Sequence, residues 1–298
     1  MVHHSNCPGC NSRYLSRKFK LIDHFVSGEI FEILKCDDCG LILTQDYPEE
    51  NQIQLYYHSD EYISHSDTTS GIINRIYHFI RGLMLRRKSR MIVSDTNKNI
   101  GKLIDIGCGT GYFLAYMKAK EWDTIGFEIN EKAKNIATDK FGLEVHDPKQ
   151  IDKIENTSID CVTMWHVLEH FHDPSKVLNS IQRILKDDGV LVIALPNNDS
   201  YDAKYYKENW AAWDVPRHLW HFNPSSFKIY IEKYGFRIRK IRRLPFDSFY
   251  VSILSEKYTG KKMPGLRGMV IGKISWLISM FYKHRTSSVV YIIEKKKD

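Results

Sequence analysis

Apolar and polar positions change rhythm several times along the chain. In the first 46 residues one apolar-rich run, Glu29-Ile-Phe-Glu-Ile-Leu-Lys35, reads as a strand. Residues 47–70 are polar and rich in tyrosine (Tyr47, Tyr56, Tyr57, Tyr62) and read as a connector. Between residues 71 and 94, Ile72, Ile73, Ile76, Phe79, Ile80 and Leu83 recur at helical spacing and predict a helix leading into the main domain. From about residue 100, short apolar runs alternate with amphipathic stretches. Strands are predicted at 102–106, 124–127, 143–145, 159–164 and 189–195, with helices at 112–120, 131–141 and 175–185. This βαβ order implies an α/β domain with a parallel, doubly wound sheet and helices on both faces. Residues 197–223, crowded with Tyr, Trp and His, break the rhythm. A helix at 225–234 and a strand at 236–244 follow. An insertion at about 245–286 then places Val270, Ile271, Ile274, Leu277, Ile278 and Phe281 on one helix face, before a last strand at 288–293. Packing on the sheet or at a dimer interface is the expected use of that face. Its basic flanks also suit peripheral membrane contact through 266–283. The organisation read from the chain is a unit at 1–46, a connector and leading helix at 47–99, and a main domain at 100–298.

Charge alters this picture little. The net charge is +7 over 298 residues, and the basic clusters, such as Arg86-Arg87-Lys88, are short and read as solvated faces. Cysteine placement alters it more. Four of the six cysteines form two Cys-x-x-Cys pairs, Cys7/Cys10 and Cys36/Cys39. Four thiolates suit the tetrahedral preference of zinc, and two tight knuckles present them in pairs. A unit of about 40 residues buries little core, so the metal would supply much of its folding energy. No apolar leader or membrane-spanning run is seen in the sequence, and a reducing, cytoplasmic setting is expected, with membrane-peripheral contact left open.

The sharpest motif is Asp105-Ile-Gly107-Cys-Gly109-Thr-Gly111, which ends a predicted strand and opens a helix. Glycines there permit a tight turn and close approach of a ligand, and the helix start offers free N–H groups. The spacing is Gly-x-Gly-x-Gly, with Tyr112 where a dinucleotide fingerprint has its third glycine. Glu128 ends the next strand, placed to accept hydrogen bonds from ribose hydroxyls. Downstream, His166-Val-Leu-Glu169-His170 follows a strand, and Arg217-His218-Leu-Trp-His221-Phe lies in the aromatic block. The order of His166, Glu169 and His170 matches an inverted zinc-peptidase motif. It ends a sheet strand rather than lying within a helix, so no metal is expected there.

Together these segments resemble class I S-adenosylmethionine-dependent methyltransferases of the small-molecule type that carry an N-terminal zinc ribbon. The turn from Asp23 to Phe31 and the Cys-x-x-Cys-Gly-Leu ending of the ribbon fit the same group. The resemblance implies a Rossmann-like, seven-stranded sheet whose last strand is antiparallel. It implies cofactor contacts from Asp105, Gly107, Cys108, Gly109, Gly111, Tyr112, Phe113, Glu128, Ile129, Asp147, Trp165 and His166. Structural zinc would sit on Cys7, Cys10, Cys36 and Cys39. The acceptor would be a small molecule, sugar- or lipid-linked ones included, methylated at oxygen in preference to carbon or nitrogen, and preferred over a nucleic acid partner. A nearby His could take a hydroxyl proton, and His170, His218 and His221 are the candidates. Two other readings stay open: an RNA or protein methyltransferase that docks through the ribbon, and a non-catalytic cofactor-binding scaffold.

Overall fold

A computed structural model describes residues 1–57 and 72–296, excepting the side chains of residues 72–77. Tyr62 of the expected connector lies outside the described residues. The chain divides into two compact units that interleave in sequence. The first comprises residues 1–59, 168–174 and 194–291, and the second 60–167, 175–193 and 292–298.

The second unit holds the leading helix α1 (Ile72–Thr96), β4 (Lys102–Ile106), α2 (Tyr112–Lys118), β5 (Asp123–Phe127), α3 (Glu131–Phe141), β6 (Glu144–His146), β7 (Ile159–Trp165) and most of α4 (Pro174–Ile184). β4 pairs in parallel with both β5 and β7, and β5 with β6. The near-continuous apolar runs follow from this geometry, because helices cover both faces of a parallel sheet. Asn130 starts α3 by accepting from the Ala133 N–H, and Gly142 ends it in the left-handed region. Asp160 ties the lower end of this sheet. It accepts from the Lys102 N–H at 2.8 Å and pairs with Lys98 and Lys186 at 2.7 and 2.8 Å. Burial works against ionisation of Asp160, but these donors hold its carboxyl down at about 2. In the leading helix Phe79 and Leu83, two of the positions that recur at helical spacing, are exposed. Helical spacing identifies a stripe but does not decide that the stripe is covered.

The first unit contains β1 (Leu15–Ile22), β2 (Ile30–Cys36), β3 (Ile42–Gln45), α5 (Tyr201–Tyr206), β9 (Trp220–His221), α6 (Pro224–Glu232), β10 (Phe236–Arg243), α7 (Asp247–Tyr258) and α8 (Pro264–Phe281). The ribbon is a four-stranded sheet in the order β1-β2-β3-β9. Its last strand comes from the aromatic block, with Ile42 opposite His221 and Leu43 opposite Trp220. Ribbon and block also share one core, in which Leu21, Phe31 and Ile33 pack with Tyr206, Trp210 and Trp213. A small unit thus gains apolar burial that its own length could not provide. The N–H groups of all three tryptophans of the block find acceptors: Asp202 for Trp210, the Lys207 carbonyl for Trp213 and the Phe171 carbonyl for Trp220.

β8 (Leu185–Pro196) and β11 (Ser288–Lys295) complete a seven-stranded sheet of order β10-β11-β8-β7-β4-β5-β6 with an antiparallel last strand, the Rossmann-like arrangement expected.

Candidate functional site

Asp105 stands near the end of β4, 2% exposed. The loop that follows owes its path to three left-handed glycines, with φ of +72°, +54° and +78° at Gly107, Gly109 and Gly111. A Cβ on Gly107 would stand 2.4 Å from Val167, and one on Gly111 2.6 Å from Leu143. A Cβ on Gly109 would meet nothing within 4 Å, so the backbone there faces open space. Glu128, just past β5, accepts from the Gly109 N–H and from the Asn130 N–H, each at 2.8 Å. The carboxylate expected to meet a ribose therefore also braces the middle of the glycine loop.

Asp105 accepts from the Thr163 hydroxyl at 2.5 Å. Burial is the main cause that raises its pKa to about 7, and Glu128 adds to it, against Thr163 and the charge of Lys88. Phe113 and Trp165 meet edge to face at 5.5 Å, and the Lys88 ammonium lies 4.0 Å above the Trp165 ring. Arg81 lies 3.7 Å over Tyr112 in the same way. Sequence reasoning missed Lys88, Arg81 and Thr163. The basic run at 86–88 read as a solvated face, and a Thr within a strand carries no signal of its partner.

The other expected cofactor residues fall as follows. Cys108 is buried, and burial raises its thiol well above the usual range. His166 has a left-handed backbone, φ +59°, directly after β7. Ile129 is 66% exposed. Asp147 caps a short helical turn by accepting from the Lys149 N–H at 2.8 Å.

In the first unit, the block after β8 is anchored by Arg217, 1% exposed. Its guanidinium pairs with Asp23 at 2.9 Å and Asp214 at 2.7 Å, and donates to the Tyr56 carbonyl at 2.9 Å. Asp23 also accepts from the N–H groups of Phe25, Val26 and Ser27, so the ribbon turn and the Arg-His segment form one polar network. Burial opposes the charge on Asp23, yet Arg217 and these N–H groups hold its pKa below the usual value.

The three candidate histidines divide. His170 and His218 meet edge to face, ring centres 4.6 Å apart. Nδ1 of His170 lies 2.9 Å from the Tyr57 hydroxyl and 3.0 Å from the Arg217 carbonyl, which holds the ring in place. His218 donates from Nδ1 to the Ala212 carbonyl at 2.9 Å, and its Nε2 lies 3.8 Å from Asp214. Burial, reinforced by His218, lowers the pKa of His170 to about 4. His221 is occupied elsewhere. Thr44 spends its hydroxyl proton on the His218 carbonyl and receives one from Nε2 of His221 at 3.0 Å. Burial drives the pKa of His221 well below the usual value. Glu169, His170 and His218 bring their ligand atoms within 4.8 Å of one another. His166 and His172, close to this group in sequence, do not join it, and the Nε2 of His172 meets the Pro48 carbonyl at 2.9 Å.

The four ribbon cysteines also gather their sulfurs within 4.8 Å. Cys7–Cys39 and Cys10–Cys36 each stand 3.5 Å apart, close to the edge of about 3.8 Å in a tetrahedron of Zn–S bonds. Gly9 fits against Cys7 and Cys39, and Gly40 turns with φ +73°.

The first unit also holds a cleft of about 740 Å³. Phe19, Ile42 and Trp213 give it an apolar wall, and Lys18, Lys35 and Lys207 a basic rim. A β-bulge between Arg17 and Phe19 leaves Lys18 unpaired in the ladder.

A family model described as a methyltransferase domain matches residues 76–241. An uncharacterized protein of Methanocaldococcus jannaschii is 27% identical over 165 residues, covering 53% of this chain and 68% of that protein. A ubiquinone biosynthesis O-methyltransferase of Nitrosomonas europaea is 29% identical over 132 residues, covering 41% and 54%. The crystal structure of an S-adenosylmethionine-dependent methyltransferase from Archaeoglobus fulgidus superposes with a TM-score of 0.49 at 26% identity, covering 72% and 94%. The chain spans about half the length of the ubiquinone enzyme that it matches.

Proposed function

We propose that this chain, which belongs to the methyltransferase-domain family and is a class I S-adenosylmethionine-dependent methyltransferase, methylates a small-molecule acceptor at oxygen. The observation that carries the reading is the glycine loop braced by Glu128, with Asp105 buried beneath it. Asp105 and the open backbone at Gly109 would hold the methionine end of the cofactor, and Glu128 the ribose. Contacts from Gly107, Cys108, Gly111, Tyr112, Phe113, Ile129, Asp147, Trp165 and His166 belong to the same proposal. When bound, S-adenosylmethionine supplies an electrophilic methyl group, so the protein's part is to align an acceptor and exclude water. The acceptor proposed is a small molecule, sugar- or lipid-linked, and the name of the ubiquinone relative supports oxygen as the target.

Of the histidines, His218 suits a hydroxyl proton best. Its Nε2 carries the lone pair, its Nδ1 is fixed by a carbonyl, and Asp214 lies beside it to stabilise the imidazolium. His170 orients it, and His221 supports the junction with the ribbon. Zinc on Cys7, Cys10, Cys36 and Cys39 would be structural, which fits a reducing compartment such as the cytoplasm. A lipid-linked acceptor also accommodates peripheral membrane contact through residues 266–283.

Calorimetric titration of the zinc-loaded protein with S-adenosylmethionine, and with NAD as control, tests the core of this reading. Micromolar binding of the first ligand alone, abolished in Gly109→Arg, is expected. Binding of NAD, or of neither ligand, overturns it. With binding in place, His218→Ala is expected to slow methylation of a hydroxyl acceptor about 100-fold or more without changing cofactor affinity.

A further inference from the structure

The hairpin of α7 and α8 is built inside out. Helices of a water-soluble domain turn their large apolar side chains inward. In α8 the buried positions are Gly268, Gly272, Ser275 and Ser279. The large ones face outward: Leu266 is 61% exposed, Val270 51%, Ile274 36%, Leu277 38% and Phe281 81%. These residues recur every three or four positions and form one stripe along a helix of 18 residues, about 27 Å long.

The small residues explain why the stripe cannot turn inward. A Cβ on Gly268 would stand 2.4 Å from the Ile253 backbone, and one on Gly272 2.8 Å from Phe249. α7 contributes a matching seam of buried Ser248, Ser252 and Ser255. Small residues that let two helix backbones approach closely are the packing mode of helices in lipid, where large apolar side chains face the solvent. Polar bonds lock the rotation. Ser275 donates to the buried Asp202 at 2.7 Å, and Arg267 pairs with the fully buried Glu256 at 3.0 Å.

Charge indicates what covers the stripe. Residues 245–286 hold seven Lys and Arg against two acidic residues, Asp247 and Glu256. Lys261 and Lys262 precede the stripe, Lys283 and Arg285 follow it, and all four are exposed. Lys273 interrupts it with a stem long enough to reach a headgroup. No helix among the described residues is long and apolar enough to cross a membrane. An exposed apolar stripe with cationic ends matches a surface that is apolar below and anionic above. A second copy packed along the same stripe would bring these basic ends against one another.

We infer that the α7–α8 hairpin seats the exposed face of α8 in the surface of an anionic membrane, lying in the interface rather than crossing it. This deepens the membrane contact proposed for residues 266–283 and does not depend on methyl transfer.

Co-sedimentation of the full-length, zinc-loaded protein with lipid vesicles tests it. Binding is expected to vesicles of phosphatidylglycerol in phosphatidylcholine, at least about tenfold tighter than to phosphatidylcholine alone, and weaker at high salt. Leu277→Glu/Phe281→Glu is expected to lose about tenfold or more, and Lys261→Glu/Lys262→Glu the preference for anionic lipid. Both variants should bind S-adenosylmethionine as the parent does, which separates failure of this inference from failure of the methyltransferase reading. Absence of vesicle binding overturns the inference. So does a stable dimer in sedimentation equilibrium that Phe281→Glu dissociates, since a second copy then covers the face.

Discussion

The glycine loop and the histidine–tryptophan block are assembled over different distances along the chain. The loop draws on Asp105 to Gly111 and on Glu128, which bonds to Gly109 across 19 positions. The block joins Arg217 to Asp23 across 194 positions and His221 to Thr44 across 177. Backbone geometry makes the first site, since glycines with positive φ and a strand end define it whatever surrounds them. Side-chain pairing makes the second, and it exists only once distant segments have met. Substitutions should therefore act on ligand affinity at the loop and on folding at the block.

Four measurements sharpen or break that contrast. The largest effect is expected at the block. Arg217→Met leaves Asp23 and Asp214 without their guanidinium and should lower stability by about 3–5 kcal/mol in urea unfolding, while the loop keeps its cofactor in the folded fraction. A small stability change would mean that the network is dispensable. At the loop, Gly107→Ala drives a methyl group into Val167. It should weaken S-adenosylmethionine binding about 100-fold by calorimetry, with a smaller loss of stability, about 1–2 kcal/mol, from overpacking. A folding defect larger than the binding defect would break the contrast from that side.

A third effect sits at the far end of the parallel sheet. Asp160→Asn should cost about 2 kcal/mol at neutral pH. The parent carboxyl is held at about 2, below its unfolded value, so its contribution is present above pH 4 and fades as the pH falls toward 2. The stability curves of parent and variant should converge there. The smallest effect is electrostatic tuning at Asp105. On the proposed cofactor site its carboxyl, raised to about 7 by burial, would have to lose a proton to pair with the cationic methionine end. Affinity should rise by up to about tenfold per unit toward pH 7 and level off above it. Asp105→Asn should flatten that profile, and an unchanged profile would remove Asp105 from the cofactor site.

What could be read from the chain follows the same division. The glycine spacing, Glu128 and the two Cys-x-x-Cys pairs were legible because each is a local pattern with a local cause. The βαβ order was legible from alternating apolar runs, with strand and helix ends shifted by a few residues. The pairing of Arg217 with Asp23 was not, although both segments stood out, because nothing in a sequence links two motifs so far apart. Lys88 over Trp165 was hidden for the same reason. The α8 face differs again: packing on the sheet was one expectation, and its large side chains are exposed. Its large apolar stripe was visible, but so was a stripe of Gly268, Gly272, Ser275 and Ser279, and only the close approach of α7 decides which one is buried.

The shared core of ribbon and block has a consequence for synthesis. The N-terminal Cys knuckles leave the ribosome early, yet the strand that completes their sheet and the arginine that neutralises Asp23 come much later. At ordinary elongation rates, 194 residues take about 10–40 s. During that interval the nascent ribbon has neither its β9 edge nor its tryptophan core. Its thiols would stand open to oxidation and to other thiophilic metals, and capture of the proposed zinc at that stage would protect them. On the proposed zinc site, supply of the metal during translation would then bear on how many chains fold.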